Sequence, residues 1–274
     1  MSNIDNKTVS GFGYQWKTYK QDKLVEEEYD DIFEGYFKIF PFEKLNDDSV
    51  GFDLGCGSGR WAEGIAPKVG KLYCIDPSID ALNVAKNKLS HFNNVEFLNN
   101  GVDEIKLEDN SMDFGYSLGV LHHIPDTTKG IKNCVDKLKS GGFFLIYLYY
   151  SLDNKPFWYK ALWKASNIVR MIISKMPNRL KLLVTKVIAL LVYLPLARTS
   201  LLLEKLGLSV DNFPLSAYRD KSFYTMKTDS FDRFSTRLEH RFSKVEIHEM
   251  MGKAGLKDIV FNDAVPYWVA VGRK

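Results

Sequence analysis

The chain has 274 residues, room for one large domain or for a domain carrying an insertion. A hydrophobic share of 45% with 26% charged residues is that of a folded protein and excludes global disorder. Thirty-seven basic residues against 34 acidic ones give a net charge of +3, too balanced to argue by itself for a nucleic-acid partner.

Cys56, Cys74 and Cys134 are an odd set without a CxxC pair, which argues against a disulfide framework and against a zinc site. Free thiols fit a reducing cytoplasm. The polar start, MSNIDNKTVSGFGYQWKTYKQDK, lacks the apolar core of a signal peptide. No uninterrupted apolar run reaches the roughly 18 to 20 residues of a simple membrane span. A cytoplasmic location is therefore expected.

In chain order, the aromatic segment Phe12–Trp16 comes first, either a lid over a ligand site or an ordinary packed N-terminus. Residues 23–40 are predicted to form the first helix, with Leu24, Tyr29, Ile32, Phe33 and Tyr36 as its apolar stripe. Strands are predicted at 50–54, 71–76, 95–99 and 112–117, with helices at 58–67 and 79–90, the second capped by Ser78. A helix at 127–139 follows, and Gly141-Gly142 turns the chain into a fifth strand, 143–150. This alternation predicts a parallel sheet covered by helices. It stops over residues 151–242, which read as helices and loops. It resumes at Ser243–Glu246, a capping-box pattern, with a helix to about Ala254 and short strands at 257–261 and 267–272. The fold expected is α/β: a Rossmann-like seven-stranded sheet with an antiparallel last strand and a helical insertion after the fifth strand. Its parts are an N-terminal lid and helix (1–47), a cofactor-binding core (48–150), the insertion as substrate cap (151–242) and a C-terminal completion of the sheet (243–274).

The strongest chemical signal is Asp53-Leu54-Gly55-Cys56-Gly57-Ser58-Gly59, between the first strand and the first core helix. Glycine there lets a ligand approach the backbone, at the strand ends where open α/β sheets bind ligands. A dinucleotide fingerprint would need glycine where Arg60 stands, and a Walker loop would need a Gly-Lys-Ser/Thr ending. An acidic residue two positions ahead of GxGxG resembles motif I of the class I S-adenosylmethionine (SAM) dependent methyltransferases. Asp76, 23 positions after Asp53 and at the end of the second strand, is placed to accept ribose hydroxyls. The stretches Asn100–Asp103, Asp109–Asp113 and Ser117–Asp126 are similar to later motifs of the same superfamily, and Leu138–Gly142 to its LkpGG turn.

The resemblance covers residues 48–150, with weaker support over 243–274, and is of the methyltransferase type 11/12 kind. It implies a SAM-dependent methyltransferase that releases S-adenosylhomocysteine. Its cofactor residues would be Asp53, Gly55, Gly57, Gly59, Asp76, Val102, Asp103, Ser117 and Leu118. The family places an acidic residue where Gly101 stands; here Val102 would give a backbone contact and Asp103 would substitute. His122 and His123 fall where methyl transfer takes place, as a general base or as residues that orient the loop. No metal is implied, because adjacent histidines are not a helical zinc pair.

The insertion is expected to meet the acceptor. Residues 155–205 carry ten lysines and arginines against one acid, Glu204, interleaved with apolar and aromatic residues. The run Val187–Ala197 is apolar except for Tyr193, contains Pro195 and is too short to span a bilayer. A helical cap, a basic amphipathic surface lying on the inner face of a membrane and a homodimer interface all fit. Downstream, Tyr218, Arg219, Tyr224, Arg233 and Arg237 suit an anionic substrate. The whole chain is similar to bacterial methyltransferases associated with surface-polysaccharide biosynthesis. That implies O-methylation of a small or lipid-linked, phosphorylated sugar or glycan-type acceptor. The alternatives are a quinone-like or phospholipid acceptor at the membrane, and a SAM-binding regulator without turnover. The absence of an NPPY-like or Pro-Cys motif after the fourth strand argues against a nucleic-acid substrate.

Overall fold

The computed structural model describes residues 3–274, which divide into two compact units. Unit 1 comprises the residues up to Gln21, Asp31–Ser151 and Leu238–Lys274; unit 2 comprises Asp22–Asp30 and Leu152–Arg237.

Unit 1 is built on seven strands: β1 (Val50–Leu54), β2 (Lys71–Ile75), β3 (Val95–Leu98), β4 (Met112–Leu118), β5 (Leu138–Tyr147), β6 (Lys257–Phe261) and β7 (Val269–Arg273). Their order is β3-β2-β1-β4-β5-β7-β6. The first five pair in parallel, and β7 runs antiparallel between β5 and β6. This is the predicted Rossmann-like sheet with antiparallel closing strands. The order reverses between β1 and β4, which opens a crevice at their carboxyl ends.

β1 and β4 are buried on both faces, so they read as continuous apolar runs. Two glycines let them come together. A Cβ on Gly51 would stand 2.2 Å from the Phe114 ring, and one on Gly115 would stand 2.2 Å from the Phe52 ring. Each phenylalanine fills the gap that the opposing glycine leaves.

The helices of unit 1 are α1 (Asn6–Thr18), α2 (Glu26–Phe37, which starts in unit 2), α3 (Arg60–Ile65), α4 (Ile79–Lys88), α5 (Thr127–Lys137) and, near the C-terminus, Lys244–Lys253. Their caps follow the sequence. Ser78 accepts from the Ala81 N–H at 3.3 Å, and Ser243 and Glu246 exchange both bonds of the capping box.

Three readings are corrected. Phe12–Trp16 does not precede the first helix but lies within it. Asp5 caps α1 by accepting from Thr8 N–H at 2.7 Å, and Gly13, poor in a helix, allows close approach to Ser78. β5 starts at Leu138 rather than 143, because Leu138 pairs with Met112 before an irregularity resets the register at Phe114 and Phe143. The third correction concerns the apolar run of the insertion.

Unit 2 carries α6 (Phe157–Ile173), α7 (Asn178–Ile188), α8 (Leu194–Lys205) and α9 (Phe223–Ser235). Its core joins Ile173, Tyr193, Ala197, Met226 and Phe234. A π-helical turn, Ala189–Tyr193, fuses α7 and α8 into one helix, Asn178–Lys205. At 28 residues this helix is long and apolar enough, by length and composition, to cross a membrane, whereas the run Val187–Ala197 read from the sequence is too short. Proline has no N–H and crowds the carbonyl four residues back; the wider π turn accommodates it.

A methyl group at Gly51 has nowhere to go. Gly51→Ala is expected to destabilise the fold by about 1–3 kcal/mol, measured as a lower denaturant midpoint with an unchanged slope.

Candidate active site

The carboxyl ends of β1, β2 and β4 gather the cofactor motif. Gly55, Gly57 and Gly59 have φ of +77°, +55° and +76°. Side chains are also excluded by packing: a Cβ on Gly55 would meet Val120 at 2.4 Å, and one on Gly57 would meet the Trp16 indole at 2.8 Å. Asp76 fastens this loop. Its carboxylate accepts from Gly57 N–H at 3.0 Å and from Ser78 N–H at 2.8 Å. Burial raises its pKa to about 6 against the pull of those two N–H groups.

Asp53 is buried to 1% exposure, and its Oδ2 has no hydrogen-bond partner among the described residues. Burial holds its pKa well above the carboxylate range; the neighbouring Tyr116 hydroxyl lowers it and the Asp76 charge raises it further. A buried acid whose Oδ2 is unsatisfied, beside a glycine cradle, favours a ligand that brings hydrogen-bond donors, or positive charge to compensate its ionised form. SAM has both, on its sulfonium and amino groups and its ribose, so the residues present fit it.

Other predicted cofactor residues have structural partners. Ser117 Oγ donates to the Leu54 carbonyl at 3.0 Å, tying β4 to β1, and Leu118 ends β4. The Val102 side chain lies in the core and its carbonyl accepts from Asn133 at 3.0 Å. Asp103 accepts from Asn3 N–H at 2.6 Å, pairs with Lys129 at 3.0 Å and accepts from Asn133 at 3.3 Å. Partial burial would raise its pKa, but the Asn3 N–H and Lys129 outweigh that and hold it below the usual range. Gly101 is accounted for by Ile4, whose Cδ1 would be 2.1 Å from a Cβ there.

The two histidines occupy a turn after β4 and differ in geometry. His123 Nδ1 lies 2.7 Å from the Leu238 carbonyl, an acceptor only. In the neutral ring the proton is therefore on Nδ1, and the lone pair is on Nε2. His122 is fully buried, its ring 3.9 Å from that of His123 and 3.8 Å from that of Tyr149. Burial, then the charges of His123, Arg241 and His240, push its pKa well down, so it stays neutral. Phe12 lies 4.9 Å from the His123 ring and Tyr149 5.4 Å. Arg241 stacks over Tyr149 at 5.0 Å while paired with Glu239 at 2.8 Å.

Leu238 and the α1 residues Phe12 and Trp16 belong to this site, and only α1 had a sequence signal. Leu238 contributes a backbone carbonyl from 115 residues away, which no side-chain motif encodes. It is delivered by a return segment in which His240 N–H donates to the His122 carbonyl at 2.9 Å and Phe242 N–H to that of Tyr149 at 2.9 Å.

The predicted substrate residues Tyr218, Arg219, Tyr224, Arg233 and Arg237 all lie in unit 2. Arg219 pairs with Glu204 at 2.7 Å, Tyr218 packs on Tyr193 at 5.2 Å, and Arg233 stacks over Trp163 at 5.3 Å. Lys227 lies over the Tyr224 ring at 5.6 Å, and the Arg237 carbonyl accepts from Arg170 at 3.2 Å.

Residues 52–146 match the methyltransferase-domain family. The chain thus contains a class I SAM-dependent methyltransferase domain, with SAM as its cofactor. It is 28% identical to the ubiquinone biosynthesis O-methyltransferase of Coxiella burnetii over 106 residues, 38% of this chain and 44% of that protein. It is 33% identical to the demethylmenaquinone methyltransferase of Staphylococcus aureus over 94 residues, 33% of this chain and 39% of that protein. The chain spans less than half the length of these curated relatives. The fold is shared more widely. A chain from the complex between the Haloferax volcanii Trm112 methyltransferase activator and a methyltransferase aligns with a TM-score of 0.55 at 15% identity, covering 99% of each chain. A SAM-dependent methyltransferase from Thermotoga maritima aligns with a TM-score of 0.51 at 15% identity, covering 97% of this chain and 99% of that one.

Cofactor affinity is expected to depend on pH through Asp76. With a pKa of about 6 the carboxylate is ionised at neutrality and takes up a proton as pH falls. Affinity for S-adenosylhomocysteine, measured by titration calorimetry, should be level above neutrality and fall about tenfold per pH unit below 6. A constant affinity down to about pH 5 would separate the ligand from Asp76.

Proposed function

We propose that the whole chain is a SAM-dependent methyltransferase that methylates a hydroxyl on a small, planar aromatic acceptor of the quinol or phenol type. The observation that carries this reading is the bond from His123 Nδ1 to the Leu238 carbonyl, which leaves Nε2 as a proton acceptor in aromatic surroundings made by Phe12 and Tyr149.

SAM, when bound, supplies a methyl group on a sulfonium, electrophilic without further activation. The glycine loop, Asp76 and Asp53 hold and electrostatically favour that cofactor. His123 takes the proton of the attacking hydroxyl at Nε2, so the oxygen attacks as it gains negative character. Transfer of the methyl group to that oxygen would leave the cofactor as its neutral thioether. The Leu238 carbonyl stabilises the imidazolium that results. His122 is a packing residue that holds the turn between His123 and Tyr149. Alignment of nucleophile and methyl carbon supplies much of the remaining rate. The N-terminal segment acts as a roof: on α1, Phe12 covers the base and Trp16 the glycine loop, and Ile4, just ahead of α1, covers Gly101.

The acceptor class has two supports. The base has aromatic neighbours, which suit a flat ring better than a phosphorylated sugar, and the curated relatives are named for quinone methylation. Arg241, the arginine on Tyr149, is already paired with Glu239. Neither of these relatives supports the glycan-type acceptor.

Labelled methyl transfer from SAM to hydroquinones and catechols, run beside phosphorylated sugars, tests the reading. Transfer to the phenolic acceptors is expected, with His123→Ala lowering kcat by about 10²–10⁴-fold while SAM affinity holds. Transfer to sugars alone would overturn the acceptor class. Retained SAM binding with no transfer to any acceptor would favour a regulator.

A further inference from the structure

Unit 2 carries apolar residues on its outer faces as well as in its core. Of the 21 large hydrophobic residues exposed among the described residues, 16 fall between Phe157 and Leu208. On α6, Phe157, Trp158, Leu162, Ile168, Val169 and Ile172 recur at helical spacing and are 44–86% exposed. On the Asn178–Lys205 helix, Leu180, Leu183, Val187, Leu190 and Leu191 do the same at 43–67%. Both helices pack their other faces on α9. Those inner faces join the apolar core of unit 2 to a set of polar anchors: Arg170 donates to the Thr236 carbonyl at 2.7 Å, Lys181 to that of Ser235 at 3.3 Å, and Ser230 to that of Thr185 at 2.9 Å.

Exposed apolar surface of this extent marks an interaction site. Charge identifies what covers it. Residues 155–205 hold ten cations, and their one acid, Glu204, is taken by Arg219. Arg170 and Lys181 are turned inward, and the stretch as a whole keeps a large positive surplus. A second copy of this surface would bring the same charges against it and be repelled. A bilayer containing anionic phospholipid offers hydrocarbon to the apolar side chains and phosphate to the lysines and arginines beside them. The long helix cannot span that bilayer and keep its present contacts, because Lys181 and Thr185 are hydrogen-bonded partners of α9.

We propose that unit 2 docks peripherally on anionic phospholipid bilayers, with α6 and the Asn178–Lys205 helix lying in the interface plane. The docking does not rest on the acceptor reading.

Flotation of the full chain with vesicles of phosphatidylcholine, with and without phosphatidylglycerol, tests it. Binding is expected to the anionic vesicles, to weaken as salt rises and to be much weaker on the neutral ones. Leu183→Glu with Leu191→Glu, both on the exposed face, should lower binding by an order of magnitude or more. Lys164→Glu with Lys186→Glu should lower it on anionic vesicles by a similar factor. S-adenosylhomocysteine affinity, unchanged in all variants, certifies that each is folded. No flotation of cofactor-binding protein at low salt, or undiminished flotation of the leucine variant, would overturn the proposal. So would dimerisation in the absence of lipid that the leucine variant abolishes, because the face would then belong to a second copy.

Discussion

A single buried carboxylate organises the catalytic unit. Asp76 reaches from the end of β2 to the N–H of Gly57 on one side and to that of Ser78 on the other. It therefore fixes the loop after β1 and the start of α4 together. Removing such a group from water is unfavourable, and its raised pKa records that cost. The two N–H donors recover part of it, and a carboxylate keeps further lone pairs for a ligand's hydroxyls. Glycine at 55, 57 and 59 follows from the same constraint, since the loop must turn left-handed close beneath Trp16 and Val120.

The proposed base, His123, follows a similar logic at longer range. His123 is useful only if its proton is on Nδ1, and that is decided by a carbonyl brought in from the far side of the insertion. The return segment pairs with the chain beyond β5 through Phe242 and Tyr149, so the core sheet itself presents Leu238. Insertions of varied sequence can be placed between Leu152 and Arg237 without moving this acceptor, provided the chain re-enters in register.

Much of this was legible in the sequence. The sheet announces itself by alternating apolar runs and capped helices, and the cofactor cradle by glycines that the backbone needs whatever surrounds them. The contacts that Asp103 and Gly101 make were not legible, because they depend on where the N-terminal segment lands. Asp103 binds Asn3, and Gly101 leaves room for Ile4, neither of which is a neighbour in sequence. α1 was hidden by its two glycines and by aromatic residues of middling helix propensity, which tertiary contacts overrode. β5 was shortened because Gly141-Gly142 reads as a turn, whereas hydrogen bonds from both ends of the pair carry the strand through it.

The π turn before Pro195 also sets the phase of the helix that contains it. From Lys181 to Ala197 the buried positions, Lys181, Thr185, Ala189, Tyr193 and Ala197, recur every four residues, and the next, Ser200, comes three further on. In an α-helix a four-residue step advances about 40° beyond a full turn, so such a series would wind away from α9 within a few repeats. The wider turn at Ala189–Tyr193 takes up the surplus and returns Tyr193 and Ala197 to the inner side. One residue more or less in that turn is a rotation of roughly 100° for everything downstream. The bulge thus acts as a gear tooth, keeping one long helix facing the same way at both ends.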